Sequence, residues 1–282
     1  MKIIKSKAEL QKAINLLREE HKTIGFIPTM GALHPGHLSL LAAARQNGQA
    51  VVCSIFVNPT QFNDKQDFEK YPVTLEEDIA KLLDTDCDIL FLPGVGEIYP
   101  NGTDQLEAYE LGYVETVLDG ASRPGHFQGV AQVVSRLFDA VQPDDVYMGQ
   151  KDYQQCLVIQ RLMKLRKDTF NLHFVPTQRE PDGLAMSSRN RRLNDNQRAL
   201  ASLLYQCLVS IEAQQDRKSF AVVQKECIDL LTHKGFTPDY VALADAVTLE
   251  PLADYDPSKK MIALIAAFIG EVRLIDNLLL NH

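Results

Sequence analysis

The sequence predicts an α/β fold: a Rossmann-like parallel sheet with helices on both faces, followed by a smaller C-terminal α+β domain. Two observations carry this. Apolar runs without alternation (TIGFIPT at 23–29, VVCSIFV at 51–57, DILFLP at 88–93, DVYMG at 145–149 and NLHFVPT at 171–177) are separated by segments of helical periodicity. Strands buried on both faces read as continuous apolar runs, and crossover helices are what cover them. After Thr177 the pattern becomes helices followed by strands, which places a boundary between 1–177 and 178–282.

The elements follow in order. Ser6-x-x-Glu9 is a capping box ahead of Leu10, Ala13, Ile14 and Leu17 at helical spacing. The first apolar run leads into a helix starting near Pro35, with Leu38, Leu41 and Ala42 as its apolar stripe and Gly48 as its stop. Thr74-x-x-Glu77 opens another helix with Ile79, Leu82 and Leu83 inward. Val130, Val133, Val134, Leu137, Phe138 and Val141 form a further stripe, and a helix from about Asp152 to Arg166 precedes the last run. The polar, breaker-rich stretch 178–195 reads as a linker or mobile loop. Helices at about 196–213 and 219–233 come next, then strand-like PDYVALAD, MIALIAAFI and VRLIDNLLL, the last two joined tightly at Gly270-Glu271.

A net charge of −8 argues against a nucleic-acid scaffold while leaving room for a small anionic substrate in a locally basic cleft. The five cysteines (53, 87, 156, 207, 227) have no paired or metal-ligand spacing, which predicts small buried hydrophobes in a reducing compartment. MKIIKSKAEL carries no signal-like apolar core, and MIALIAAFIG is too short for a membrane helix, so a cytoplasmic protein without a membrane partner is expected.

Ligands of parallel α/β sheets bind beyond the carboxyl ends of the strands. There the sequence places PTMGALHPGH, NPTQF, MGQKD and VPTQRE. His34 and His37 flank Pro35-Gly36 at a helix start, where main-chain amides and imidazoles together suit a polyphosphate, and Gly31 and Gly36 permit close approach. This is an H-x-G-H signature of nucleotidyl-transferring α/β proteins, although two histidines capping a helix would look the same. Lys151 brings a point charge to a strand end, and Asp152 stands where it could cap a helix or hold magnesium. Gln154 and Gln155 suit hydroxyl or carboxylate recognition. Ser187, Ser188 and Arg189 offer hydroxyls and a planar fork to phosphate oxygens on a loop that could close as a lid. Asn58, Gln61, Arg123 and His126 are weaker singly, since Asn58 could form a turn and His126 could cap a helix.

Taken together, PTMGALHPGH, SIFVNPTQF, SRPGHFQGV, GQKDYQQ and DGLAMSSRN closely resemble the pantoate–β-alanine ligase (pantothenate synthetase) family of the H-x-G-H nucleotidyltransferase superfamily. The resemblance runs from residue 28 to 190 and implies ATP-dependent condensation of (R)-pantoate with β-alanine, releasing AMP and pyrophosphate with Mg2+, in a homodimer with a C-terminal lid domain. It places ATP against Met30, Gly31, Ala32, Leu33, His34, Pro35, Gly36 and His37, with the two histidines on the phosphates and His37 catalytic. Gly149, Gln150, Lys151, Asp152, Met186, Ser187, Ser188 and Arg189 complete the ATP site, with Gln178 near the adenine. Gln61 and Gln155 would hold pantoate, supported by Asn58, with Arg123 and His126 also on the substrate side. Gln150 stands where the family usually has an acid, and Val73 where it commonly has arginine.

That residue set matches the chemistry. A carboxylate displacing pyrophosphate from ATP needs no protein nucleophile, only relief of charge repulsion, alignment and stabilisation of the leaving group. The alternatives are a nucleotidyltransferase releasing a nucleotide-linked product, and a non-catalytic nucleotide binder; the second would be expected to have lost the phosphate-contacting residues.

Overall fold

The computed structural model describes residues 1–62 and 68–280. They divide into two compact units, one of 1–150 with 155–176 and one of 151–154 with 177–282. The first contains a six-stranded parallel sheet of order β1-β4-β3-β2-β5-β6, built from β1 (Lys2–Ile4), β2 (Ile24–Thr29), β3 (Ala50–Ile55), β4 (Ile89–Phe91), β5 (Asp145–Gly149) and β6 (Asn171–Val175). Five strands answer the five apolar runs. The sixth, β1, is three residues with only Ile4 buried, too short and too exposed to show as an apolar run.

Alternation within the strands sorts the core into two layers. Ile24, Phe26, Val52, Ile89, Phe91 and Val146 face α1 (Lys7–Glu19) and the long helix His126–Val141, where Leu10, Ile14, Val134 and Phe138 meet them. Ile27, Val51, Cys53, Leu90 and Tyr147 face α2 (Pro35–Gln46) on the other side. Both faces of the sheet are therefore apolar, which is why its strands show no alternation in sequence. The inward stripe of α2 is Leu40, Leu41 and Ala44; Leu38 is half-buried and Ala42 exposed, so the expected stripe is turned from the true one. Pro35 and Gly36 start α2, whereas the expected stripe is phased from Leu38.

In α3 (Leu75–Leu83), Leu82 is buried and Leu83 exposed, and the inward place one turn earlier belongs to Asp78. Thr74 is the residue before this helix, as expected, and its hydroxyl donates to Asp78 Oδ1 at 3.2 Å. His126–Val141 is α4, and α5 (Tyr153–Arg166) follows a 3-10 turn at Gln150–Asp152.

The second unit has its own core. Helices α6 (Asp195–Ala201), α7 (Leu203–Gln214) and α8 (Phe220–His233) precede an antiparallel three-stranded sheet of β7 (Phe236–Asp245), β8 (Met261–Ile269) and β9 (Val272–Leu279). Leu204, Leu208, Val223 and Leu231 pack with Val241, Ile265 and Leu274. The expected single helix at 196–213 is interrupted at Ser202. The stretch 178–195 opens with a hydrogen-bonded turn at 178–186, followed by a 3-10 turn at Ser188–Arg192, and is not a plain linker. Arg179 bridges to Ala185, Glu180 N donates to Leu184 O at 2.8 Å, and Met186 N donates to Gln178 O at 2.9 Å. Its breaker residues make a tight reversal, a use that polarity alone does not distinguish from an open loop. All five cysteines are buried thiols. Among the described residues no helix is long and apolar enough to cross a membrane.

Candidate active site

In the parallel sheet, β3 and β4 lie to one side of β2, and β5 and β6 to the other. The order in which strands are added thus reverses between β2 and β5, and such a switch point is where open α/β sheets leave a crevice for ligand. The segments following β2, β3 and β5 are the ones that carry Met30–His37, Asn58–Gln61 and Gln150.

His34 caps α2 in extended conformation and His37 lies in the first turn, with ring centroids 4.0 Å apart. His34 N donates to His37 Nδ1 at 3.3 Å. An amide can only donate, so Nδ1 is an acceptor and the neutral ring carries its proton on Nε2. The ring stands in the first turn of a helix, at its positive end, a place that suits an anion.

The approach to α2 is held from beneath by a residue the sequence reading missed. Asp78 is 1% exposed, and its carboxylate accepts from Ala32 N at 2.8 Å and Leu33 N at 2.7 Å. Lys81 Nζ donates to Leu33 O at 2.8 Å. Gly31 and Ala32 both have positive φ, 84° and 50°. A Cβ on Gly31 would stand 3.1 Å from Asp78 Oδ2. An acid at inward helical spacing, between Leu75 and Leu82, was the available signal.

After β3, Asn58 and Gln61 are buried in one network. Asn58 Nδ2 donates to Gln61 Oε1 at 3.2 Å and to Gly129 O at 3.0 Å. Asn58 Oδ1 receives the Tyr99 hydroxyl at 2.8 Å, and burial pushes that phenol's pKa up. Gln61 Nε2 points at Met30 Sδ, 2.9 Å away, which joins the segments after β2 and β3. His126 Nδ1 lies 2.8 Å from Gln61 O, and its Nε2 lies 3.0 Å from Arg123 Nη1. Since a carbonyl only accepts and a guanidinium only donates, the imidazole is neutral and protonated on Nδ1. His126 is therefore a link between Arg123 and the Gln61 main chain. Gln155, the third residue of α5, is half-buried.

This network needs close approach of α4, which Gly129 provides: a Cβ there would lie 2.2 Å from Thr60 O. We expect Gly129→Ala to displace Asn58 and Gln61 and to raise the KM for the organic acid about tenfold or more, with a loss of stability of about 1–3 kcal/mol from overpacking. Steady-state kinetics and thermal melts check both.

In the second unit, Lys151 is largely buried and its Nζ is 3.7 Å from Asp152, whose side chain is 49% exposed. Asn277 Nδ2 donates to Lys151 O at 2.9 Å. Ser187 Oγ accepts from Arg189 N at 3.3 Å, capping the 3-10 turn Ser188–Arg192 and leaving the Ser187 hydroxyl proton for another acceptor. Asn190 Nδ2 donates to Ala185 O at 3.0 Å. Gln178 is exposed, and Ser188 is buried. Arg179 forks onto Asp276, a pair absent from the sequence reading. Burial raises the Asp276 pKa, and the guanidinium opposes that rise.

A parallel α/β sheet with paired imidazoles at a helix start, on the edge where such sheets bind ligands, defines the class. The chain belongs to the pantoate–β-alanine ligase family. The family's model, described as Pantoate-beta-alanine ligase, matches residues 2–279. A pantothenate synthetase from Alteromonas mediterranea is 43% identical over 280 residues, covering 99% of each chain. The crystal structure of pantothenate synthetase from Thermus thermophilus superposes with a TM-score of 0.90 at 41% identity, covering 99% of each chain. That of the pantoate-beta-alanine ligase from Francisella tularensis, complexed with Beta-gamma ATP and Beta-alanine, gives a TM-score of 0.80 at 35% identity, covering 99% of this chain and 97% of the other. The chain is accordingly an enzyme, a carbon–nitrogen ligase.

Proposed function

We propose that the chain condenses (R)-pantoate with β-alanine to give pantothenate through a pantoyl adenylate, with the residues described above in particular roles. The activity is ATP-dependent ligation of pantoate to β-alanine, as in the family. The observation that supports the roles best is the His34–His37 pair at the start of α2, two imidazoles 4.0 Å apart at the positive end of a helix.

The pantoate carboxylate attacks the α-phosphorus of ATP, one oxygen–phosphorus bond forms, and pyrophosphate leaves. The attacking group is already an anion, so the protein's tasks are alignment and charge stabilisation. His37 and His34 donate to the phosphates, Lys151 and Arg189 add positive charge, and Ser187 and Ser188 add hydroxyl donors. Met30–His37, Gly149–Asp152, Gln178 and Met186–Arg189 make up the ATP contacts. Gln61 and Gln155 bind pantoate, with Asn58, Arg123 and His126 keeping Gln61 in place.

The amine of β-alanine then attacks the acyl carbon and AMP departs with one oxygen of the original carboxylate. Mg2+ would arrive with ATP. One exposed carboxylate, Asp152, suits an ion that takes most of its ligands from phosphate and water, and the ion would neutralise phosphate charge. Residues 178–282 are assigned as a lid domain, and the active form as a cytoplasmic homodimer. These rest on the family likeness and on scattered, unbridged cysteines that suit a reducing compartment.

The test is isotopic. With pantoate carrying 18O in its carboxylate, one labelled oxygen is expected in the AMP, read by mass spectrometry. Unlabelled AMP formed alongside pantothenate would refute the adenylate.

A further inference from the structure

Strand β9 departs from its own pattern. Burial alternates from Val272 to Ile275, and then Asp276 and Asn277 are both buried, at 5% and 3% exposure. Successive strand residues face opposite sides, so these two polar groups leave the sheet in opposite directions.

Asp276 shares the face of Leu274 and receives a bidentate fork, Arg179 Nη1 to Oδ2 at 2.6 Å and Nη2 to Oδ1 at 3.0 Å. The same guanidinium donates to Gly183 O at 3.0 Å and Asn277 O at 3.3 Å, and its carbon lies 3.9 Å from the centroid of the Tyr205 ring. Arg179 is thus fixed at the neck of the turn that Met186 N closes onto Gln178 O, immediately before Ser187–Arg189. On the other face, Asn277 Nδ2 holds the Lys151 carbonyl at 2.9 Å. Tyr153 adds a second tether to the same segment, its hydroxyl donating to Ala246 O at 2.7 Å.

We propose that Asp276 and Asn277 are positioning residues for ATP: two neighbours on one strand set the main chain that carries Lys151 and the main chain that carries Met186–Arg189. This rests on the reading that those segments contact ATP. The residue types suit the task. Asn277 holds a carbonyl without placing a charge beside the ammonium, and the charge of Asp276 is matched by Arg179, so neither repels an anionic nucleotide. A lysine acts as a point charge at the end of a flexible stem, so its phosphate contact depends on where its main chain is held.

The experiment uses the full chain with Asn277→Ala and the near-isosteric Asn277→Asp, which keeps the shape but cannot donate to Lys151 O. Kinetics with ATP varied, kinetics with pantoate varied, and thermal melts are compared with Lys151→Ala and the Lys151→Ala/Asn277→Ala double variant. The expected result is a fall of about tenfold or more in kcat/KM for ATP. The pantoate KM should hold, and Asn277→Ala should add little loss once Lys151 is gone, as coupled sites require. A folded Asn277 variant with wild-type kcat/KM for ATP, alongside a crippled Lys151→Ala, would overturn the positioning role. So would full additivity, or an equal loss toward pantoate. Wild-type kinetics in Lys151→Ala would instead overturn the ATP reading itself, so the two failures are told apart. If Asn277→Ala does not fold, Asn277→Asp carries the comparison.

Discussion

Enzyme carrying His37→Ala is expected to fold as the wild type does and to turn over roughly 100- to 1000-fold more slowly, the usual cost of removing one well-placed donor to developing charge. The substitution removes the imidazole from the start of α2, together with the acceptor for His34 N. That amide sits at a half-buried helix start, so the stability cost stays small. The loss should appear in kcat, because the donor matters most as pyrophosphate leaves. His37→Gln, which restores an amide donor, should recover part of the rate. Near-normal kcat in purified, folded His37→Ala would remove the histidine from the mechanism.

Asp78→Ala is expected to lose both stability and activity. Two buried main-chain amides, Ala32 N and Leu33 N, would lose their acceptor together, at a cost of about 1–3 kcal/mol for each group left unsatisfied. For a chain of this size that is a drop of several degrees in melting temperature. The activity loss follows from place: Ala32 has a φ of 50°, a strained conformation that persists only while its surroundings hold it, and it leads directly into His34. Asp78→Asn, which keeps an acceptor oxygen for one amide, should fall between. Melts and kinetics on the three proteins would show the grading; wild-type activity in Asp78→Ala would break the link between this carboxylate and the helix start.

These two residues differ in how visible they are in the chain. His37 lies in a motif, next to a proline that starts its helix, and its role can be argued from neighbours in sequence. Asp78 acts on residues more than forty positions earlier, and its only local sign is an acid on the apolar stripe of α3. Asn58 and Gln61 were legible as polar residues at a strand end, but their orientation comes from the Gly129 carbonyl, Tyr99 and His126. His126, expected on the substrate side, lies between Arg123 and the Gln61 main chain, partners that its neighbours in sequence only half reveal.

The amino-acid order by itself determined the parallel sheet, its covering helices, the C-terminal α+β unit and the family, because a doubly covered strand must be apolar throughout and a helix start needs its proline and cap nearby. Tertiary structure alone decided the phase of α2, the short edge strand β1, the ordered turn at 178–186, and the supports Asp78, Asp276 and Asn277. The reason is range. Periodicity and capping are settled within a few residues, whereas a buried carboxylate or amide is placed by partners that only the folded chain brings within hydrogen-bonding distance.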